Sequence, residues 1–498
     1  MRVQRFIDKH QHSSSEKHRT QIERAKEMGG AGMMKKKAEL IFLPSLGIGH
    51  LVPALEFAQL LIHRHNHLSV TILCIKSPLT PFSSSFIRSI VASQPQIKLI
   101  DLPEVEPPPQ DLLESSPEFF LWTIMETLKP HVKATLQSLL PSYANSVVGL
   151  FLDFFCLSMV DVGTELGLPS YMFMTSNVGF LSFMLSLLNR PIEDVFNDSE
   201  PGWLVPGFPD QVPPRVLPDA AFNKDGGYLT FYKLAQGFRD TKGIIVNSFS
   251  ELEQCAIDAL SSDSQNPPIY TVGPLIDLKC QPNLNLDQAH HDRILKWLDE
   301  QPPSSVVLLC FGSMGNFGPA QTREIALGLQ HSGVRFLWAT RSPPTTDNAE
   351  GTLPEGFLEW MEIEGMGMLC SWVPQAEVLA HRAIGGFVSH CGWNSVLESL
   401  WFGVPILTWP IYAEQQLTAF MMVKEWGLGV ELRLDHRVGS EPVMAEELEE
   451  GLKRLMDKEN AVHKKVQEMK EVARKAVLSG GSSFISIEKF VDDMIANN

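Results

Sequence analysis

Cysteine is scarce and scattered: seven residues, at 74, 156, 255, 280, 310, 370 and 391, in a chain of 498. Their number is odd and no two form a C-x-x-C couple, which argues against a disulfide-framed secreted domain or a zinc ribbon. They read as free thiols in a reducing, cytoplasmic compartment. His390 beside Cys391 is no metal pair, because no second ligand couple follows at suitable spacing. Positive charge is in deficit. A net charge of -17 speaks against nucleic acid as a partner, since phosphate contacts require clustered Lys and Arg. A secretory h-region is missing too. Residues 1–33 are polar and carry HSSSEKHR; Asp8, Glu16, Glu23 and Glu27 argue against a transit peptide, so a disordered extension is expected, with Met33 or Met34 as the more usual start. No apolar run is clean enough to span a membrane. The best, YMFMTSNVGFLSFMLSLL, is broken by Thr175, Ser176, Asn177, Ser182 and Ser186 and fits a buried helix or pocket wall.

What is present is a globular composition, 44% hydrophobic and 20% charged, in a chain too long for one ordinary core. Strands and helices alternate as in parallel doubly wound sheets. AELIFLPS runs through LGIGH into the helix PALEFAQLLI; LSVTILCI and SVVGLFLDFF are further buried strands. A Pro-rich polar stretch, taken as a linker over residues 266–304, precedes a second alternation. That begins with SVVLLCFGS, the helix TREIALGLQHSG and the strand RFLWATR. Helices are expected at about 413–426 and 445–457, then a long amphipathic C-terminal stretch from 460.

The densest chemistry lies between Trp372 and Gln415. IGGFVSH reads as a buried strand, His390-Cys391-Gly392-Trp393 as a turn, and NSVLESLWFG as a short helix that Gly403 terminates. A helix start offers unpaired N–H groups and a positive dipole end, and with His390, Asn394 and Ser395 it makes a seat for a diphosphate. Trp372 offers a flat face on which a base can stack, with Gln375 and Glu398 placed to bond a ribose. Each residue also has a plainer reading. Ser395 and Glu398 form S-x-x-E, a capping box, and Trp372 and Trp393 taken singly are core aromatics.

In order and spacing this segment resembles the signature box of plant UDP-dependent glycosyltransferases acting on small lipophilic molecules. The resemblance covers about residues 36–498 and implies the GT-B fold, two doubly wound Rossmann-like domains facing across a cleft. It implies an acceptor-binding domain over 34–265, a UDP-sugar-binding domain over 305–478, and a C-terminal helix over 479–498 returning to the first domain. It also implies roles: Trp372 on uracil, Gln375 and Glu398 on ribose, His390, Asn394 and Ser395 on the diphosphate, Glu414 and Gln415 on the sugar hydroxyls, and Trp393 close to the sugar. By weaker resemblance Thr175 contacts the sugar. A final Gln, with Trp at 393, implies UDP-glucose as donor co-substrate, no cofactor, and neither UDP-galactose nor UDP-glucuronate. A monomer is expected.

The first domain supplies the rest. Gly47-Ile48-Gly49 invites a dinucleotide reading, but Val52 replaces the third glycine and Ile75-Lys76 ends the second strand without an acidic ribose ligand. What the loop does supply is His50, where open α/β sheets place their ligands. Asp153, in the apolar GLFLDFF, is costly as an ion unless something pairs with it, and an imidazole is a suitable partner. Judged alone, His50 is structural and Asp153 a cap; the resemblance makes them general base and activating acid. The expected reaction is inverting transfer of glucose to a hydroxyl of a flavonoid or other phenol, with Ser313 of FGSMG an extra donor to UDP. No D-x-D triplet is present, and no metal is expected. The alternatives are a triterpene or other non-phenolic acceptor, another UDP-sugar, a non-catalytic UDP-sugar-binding homologue, or a sugar-nucleotide epimerase. LDFFCLSMVDVG and SYMFMTSNVGF resemble the subgroup active on flavonoids, polyphenols and triterpenes.

Overall fold

The computed structural model describes residues 37–76, 87, 88, 91, 94–143, 146–278, 288–313, 315–340 and 353–496. The expected extension over 1–33 and Cys280 lie outside them. Two parallel sheets form the molecule. The first has the order β3-β2-β1-β4-β5-β6-β7, with β1 Ala38–Leu43, β2 Leu68–Cys74, β3 Ile97–Asp101, β4 Val147–Asp153, β5 Ser170–Met174, β6 Ile244–Val246 and β7 Ile269–Thr271. The second has the order β10-β9-β8-β11-β12-β13, with β8 Val306–Cys310, β9 Arg335–Ala339, β10 Gly367–Cys370, β11 Ile384–Ser389, β12 Ile406–Thr408 and β13 Gly429–Glu431.

β1, β4 and β11 are buried along their whole length, because helices cover both faces of each sheet; this is why they read as unbroken apolar runs rather than alternating ones. The helix after β1, Ile48–Arg64, starts earlier than the apolar periodicity suggests and carries Pro53 inside it. Gly47 precedes it at φ 113, a backbone angle that a side chain would strain.

The segment read as linker is partly structured: β7 closes one edge of the first sheet, and Gln288–Asp299 is a helix. Three-residue β7 was too short to stand out beside its prolines. At the other end, the helix Ser482–Ala496 packs Ile487, Phe490, Val491 and Met494 onto the outer face of the first sheet. A single apolar cluster joins the domains on the inner side. There Gly179 makes room for Met421, whose Cε would stand 2.2 Å from a Cβ at that position. The pair of Rossmann-like sheets around a cleft is the GT-B arrangement.

Candidate active site

Each sheet reverses its winding between two neighbours, β1 and β4 in the first and β8 and β11 in the second. A crevice opens at the carboxyl ends of such strands. Loops following all four strands line one shared cavity of about 400 Å³.

On the first-domain side, His50 sits in the first turn of the helix after β1, and Asp153 is the last residue of β4. Asp153 Oδ2 lies 2.9 Å from His50 Nδ1, while its other oxygen accepts the Phe155 N–H at 3.1 Å. Asp153 thus caps the turn after β4 with one oxygen and meets His50 with the other. With Nδ1–H donated to the carboxylate, Nε2 keeps the basic lone pair. Thr175 Oγ1 stands 3.0 Å from the same Nδ1, so the structure brings it to His50. Phe154 and Phe155 pack on the imidazole. Burial pulls the His50 pKa down, but Asp153, by charge and hydrogen bond, and Glu414, by charge, lift it above the ordinary 6.5.

On the second-domain side, β11 hands over to the helix Trp393–Phe402 through Cys391 at φ 63, a strained angle for that residue. His390 is held in the turn and buried. A Cβ on Gly312 or on Gly392 would stand 2.5 Å from its Nε2, so only glycines fit on either side of the ring. Burial lowers its pKa to about 4, and a neutral imidazole results. Its Nδ1 and Asn394 Oδ1 are buried without partners. The His390 Nδ1, when it carries the ring proton, is a donor at a helix N-terminus that an anionic ligand would satisfy, whereas Asn394 Oδ1 only accepts and calls for a donor such as a ligand hydroxyl. Asn394 Nδ2 meanwhile donates across the cleft to the Gly49 carbonyl at 2.9 Å.

The helix cap is Gly392, with no side-chain capping bond, so Ser395 and Glu398 do not form a capping box. They are instead drawn together by Gln375, whose Nε2 donates to Ser395 Oγ and to Glu398 Oε2, both at 2.8 Å. Burial pushes the Glu398 carboxyl up to about 7, against the Gln375 bond. Trp372 is half-buried on the cavity wall. Trp393 lines the cavity too but is buried against Trp426, and its indole N–H donates to the Asn247 carbonyl of the first domain at 2.6 Å. Gln415 Oε1 accepts the N–H groups of Ile411 and Tyr412, at 3.0 and 3.1 Å. Glu414 accepts from Ser176 Oγ at 2.8 Å. Ser313 is exposed in the loop after β8.

All thirteen residues singled out in the sequence thus line the one cavity, except Asp153, which touches it through His50. Sequence reading missed Ser176, Asn247 and Glu253. Glu253 is buried and accepts the N–H groups of Val178 and Gly179 and the hydroxyl of Ser248, fixing the loops that carry Thr175 and Asn247. Its only signal was an acidic residue in the first turn of a helix.

Residues 271–470 match the UDP-glucoronosyl and UDP-glucosyl transferase family. UDP-glycosyltransferase 71K1 of Malus domestica is 50% identical over 480 residues, covering 93% of this chain and all of that protein. Flavonol 3-O-glucosyltransferase UGT71C4 of Arabidopsis thaliana is 45% identical over 476 residues, covering 93% and 98%. The crystal structure of Medicago truncatula UGT71G1 complexed with UDP-glucose superposes with a TM-score of 0.88 at 66% identity, covering 92% of this chain and 98% of that one. Paired sheets, a shared cleft and relatives matched along almost their whole length make this chain a member of the plant UDP-glycosyltransferase family.

Proposed function

We propose that the protein moves glucose from UDP-glucose to a hydroxyl of a small, neutral, lipophilic acceptor, a flavonoid or related phenol, with inversion to a β-O-glucoside. The observation that carries this reading is the His50–Asp153 pair, 2.9 Å apart, opening into the cavity that also holds Trp372 and the His390–Ser395 turn.

His50 Nε2 takes the acceptor proton as the oxygen attacks the anomeric carbon from the face opposite UDP, and Asp153 stabilises the imidazolium. A phenol near pKa 10 lies about 3.5 units above an ordinary imidazole, an uphill transfer of roughly 5 kcal/mol, which the raised His50 pKa reduces. Charge developing on the departing diphosphate meets the helix N-terminus, His390, Asn394, Ser395 and Ser313. With that charge met by dipoles and neutral donors, the transfer needs no divalent ion. Trp372 stacks the base, Gln375 and Glu398 hold the ribose, and Glu414, Gln415, Trp393 and Thr175 bound the sugar. Glu414 exchanges its Ser176 bond for a sugar hydroxyl. Support for the donor is the UDP-glucose complex of UGT71G1; support for a phenolic acceptor is the flavonol glucosyltransferase among the relatives. Thiols unpaired among the described residues support work in a reducing compartment.

An acceptor panel with UDP-glucose, read by mass spectrometry, tests the reading. A gain of one hexose on some phenols, with an NMR coupling typical of a β-anomer and no loss in EDTA, is expected. UDP released equally without any acceptor, or no turnover despite UDP binding, overturns it in favour of an epimerase or a binding protein.

A further inference from the structure

Glu118 is a carboxylate in the cavity that the mechanism leaves unused. It stands in the first turn of the helix Pro117–Leu139 and shares the first-domain lining with His50, Phe154, Phe155, Phe180 and Phe231. Around it the wall is aromatic. Among the described residues no lysine or arginine lines this cavity. Burial, with Asp219 adding repulsion, lifts its carboxyl above the usual range despite a backbone hydrogen bond. An acid in a first helical turn is favoured by the helix dipole, but that needs no place in a ligand cavity, where losing water is costly unless a partner arrives.

We propose that Glu118 determines acceptor specificity: it accepts a hydrogen bond from a second hydroxyl, remote from the one glucosylated, and turns away acceptors carrying a carboxylate there. The proposal rests on the glucosyl-transfer reading. The Phe side chains take the flat acceptor body, His50 takes the reacting hydroxyl, and Glu118 reads what the acceptor carries elsewhere. Polyhydroxylated neutral phenols are thereby selected over simple phenols and over phenolic acids.

The test uses matched acceptors on two scaffolds of different length, biphenyl and stilbene, each as the monohydroxy compound, the para,para′-dihydroxy compound and the hydroxy-carboxylate. A hydrogen bond to a charged group corresponds to about 10- to 100-fold in kcat/KM. On at least one scaffold the full-length protein is expected to prefer the dihydroxy over the monohydroxy acceptor by about 10-fold or more, and to disfavour the carboxylate. Glu118→Gln should shrink the first ratio to a few-fold and raise use of the carboxylate; Glu118→Ala should abolish the preference. A structural role alone would lower all three acceptors together and leave the ratios where they were. Flat ratios in the unmodified protein on both scaffolds, or ratios untouched in both variants, overturn the proposal. If the variants do not fold, the unmodified protein's ratios decide. Binding of the same series in the presence of UDP, followed by Trp fluorescence, reads Glu118 even when no glucose moves. Failure of every phenol to gain glucose overturns the transfer reading instead.

Discussion

Pro53 and Asn394 act on the same carbonyl oxygen. Pro53 lies inside the helix Ile48–Arg64, and having no N–H it cannot take up the carbonyl four residues earlier, that of Gly49. Asn394 Nδ2, from the other domain, donates to that oxygen at 2.9 Å. A gap in one helix's bonding thus becomes a tie across the cleft, one residue from the proposed base. Pro53→Ala would offer Gly49 a helical donor in competition with Asn394. The loss of one hydrogen bond, about 1 kcal/mol, corresponds to a roughly fivefold rise in KM for UDP-glucose. An unchanged KM would show that the tie plays no part in donor binding.

The raised pKa of His50 fixes the sign of a pH profile. The base works only when neutral, so kcat/KM should fall as pH drops through a value above 6.5. In Asp153→Asn the residual activity should titrate lower, because the charge and bond that lift His50 are gone. His50→Ala should lose most transfer to ordinary phenols while UDP still binds, with partial rescue by more acidic phenols. The dyad contributes to folding in the opposite sense: its stabilisation is full below 6.5 and is lost as pH rises through the raised value.

Glu398 predicts a second pH effect. Its carboxyl ordinarily titrates at 4.5 and does so at about 7 in the folded chain. Between those values the folded state binds more protons than the unfolded one, so ligand-free stability should fall as pH rises from 4.5 to about 7, by on the order of 3 kcal/mol. Glu398→Gln should flatten that slope in thermal denaturation and weaken UDP binding. Ribose hydroxyls donate best to the ionised carboxylate, so UDP binding to the unmodified protein should tighten over the same range. A melting temperature insensitive to pH in both proteins would refute the assignment.

Gly392→Ala tests the setting of His390. Gly392 has an ordinary φ of -60, so the added methyl strains nothing in the backbone, but it would stand 2.5 Å from His390 Nε2. The ring must move. Overpacking of this kind costs about 1–3 kcal/mol, and the displaced imidazole should weaken UDP affinity about tenfold or more, measured by calorimetry. Intact affinity would take His390 out of the diphosphate seat.

Both winding patterns and the Trp372–Gln415 segment were legible because parallel strands buried on two faces leave long apolar runs and the cavity-lining side chains of the second domain largely follow one another along the chain. The Ser395–Glu398 pair was ambiguous for a physical reason. Capping boxes and ribose contacts use the same residue types, and it took the cap at Gly392 and the Gln375 bonds to remove the capping box. Ties such as Ser176–Glu414 and Trp393–Asn247 were not legible at all, since they join ordinary polar residues far apart in sequence. His50 was placed in a loop because Pro53 hides the helix start, although a proline in an early turn does not forbid one.

Phe490, eight residues from the end of the chain, packs against Phe57, Phe151, Tyr171 and Tyr270 at ring separations of 6.3, 5.8, 5.4 and 5.2 Å. The first domain to be synthesised is therefore the last to be completed. Its outer face stays bare while the whole second domain is made, and a nascent chain must keep that aromatic surface from finding other partners. A stop codon that removes only the final helix would leave every residue of the proposed site encoded, yet yield a first domain without its lid.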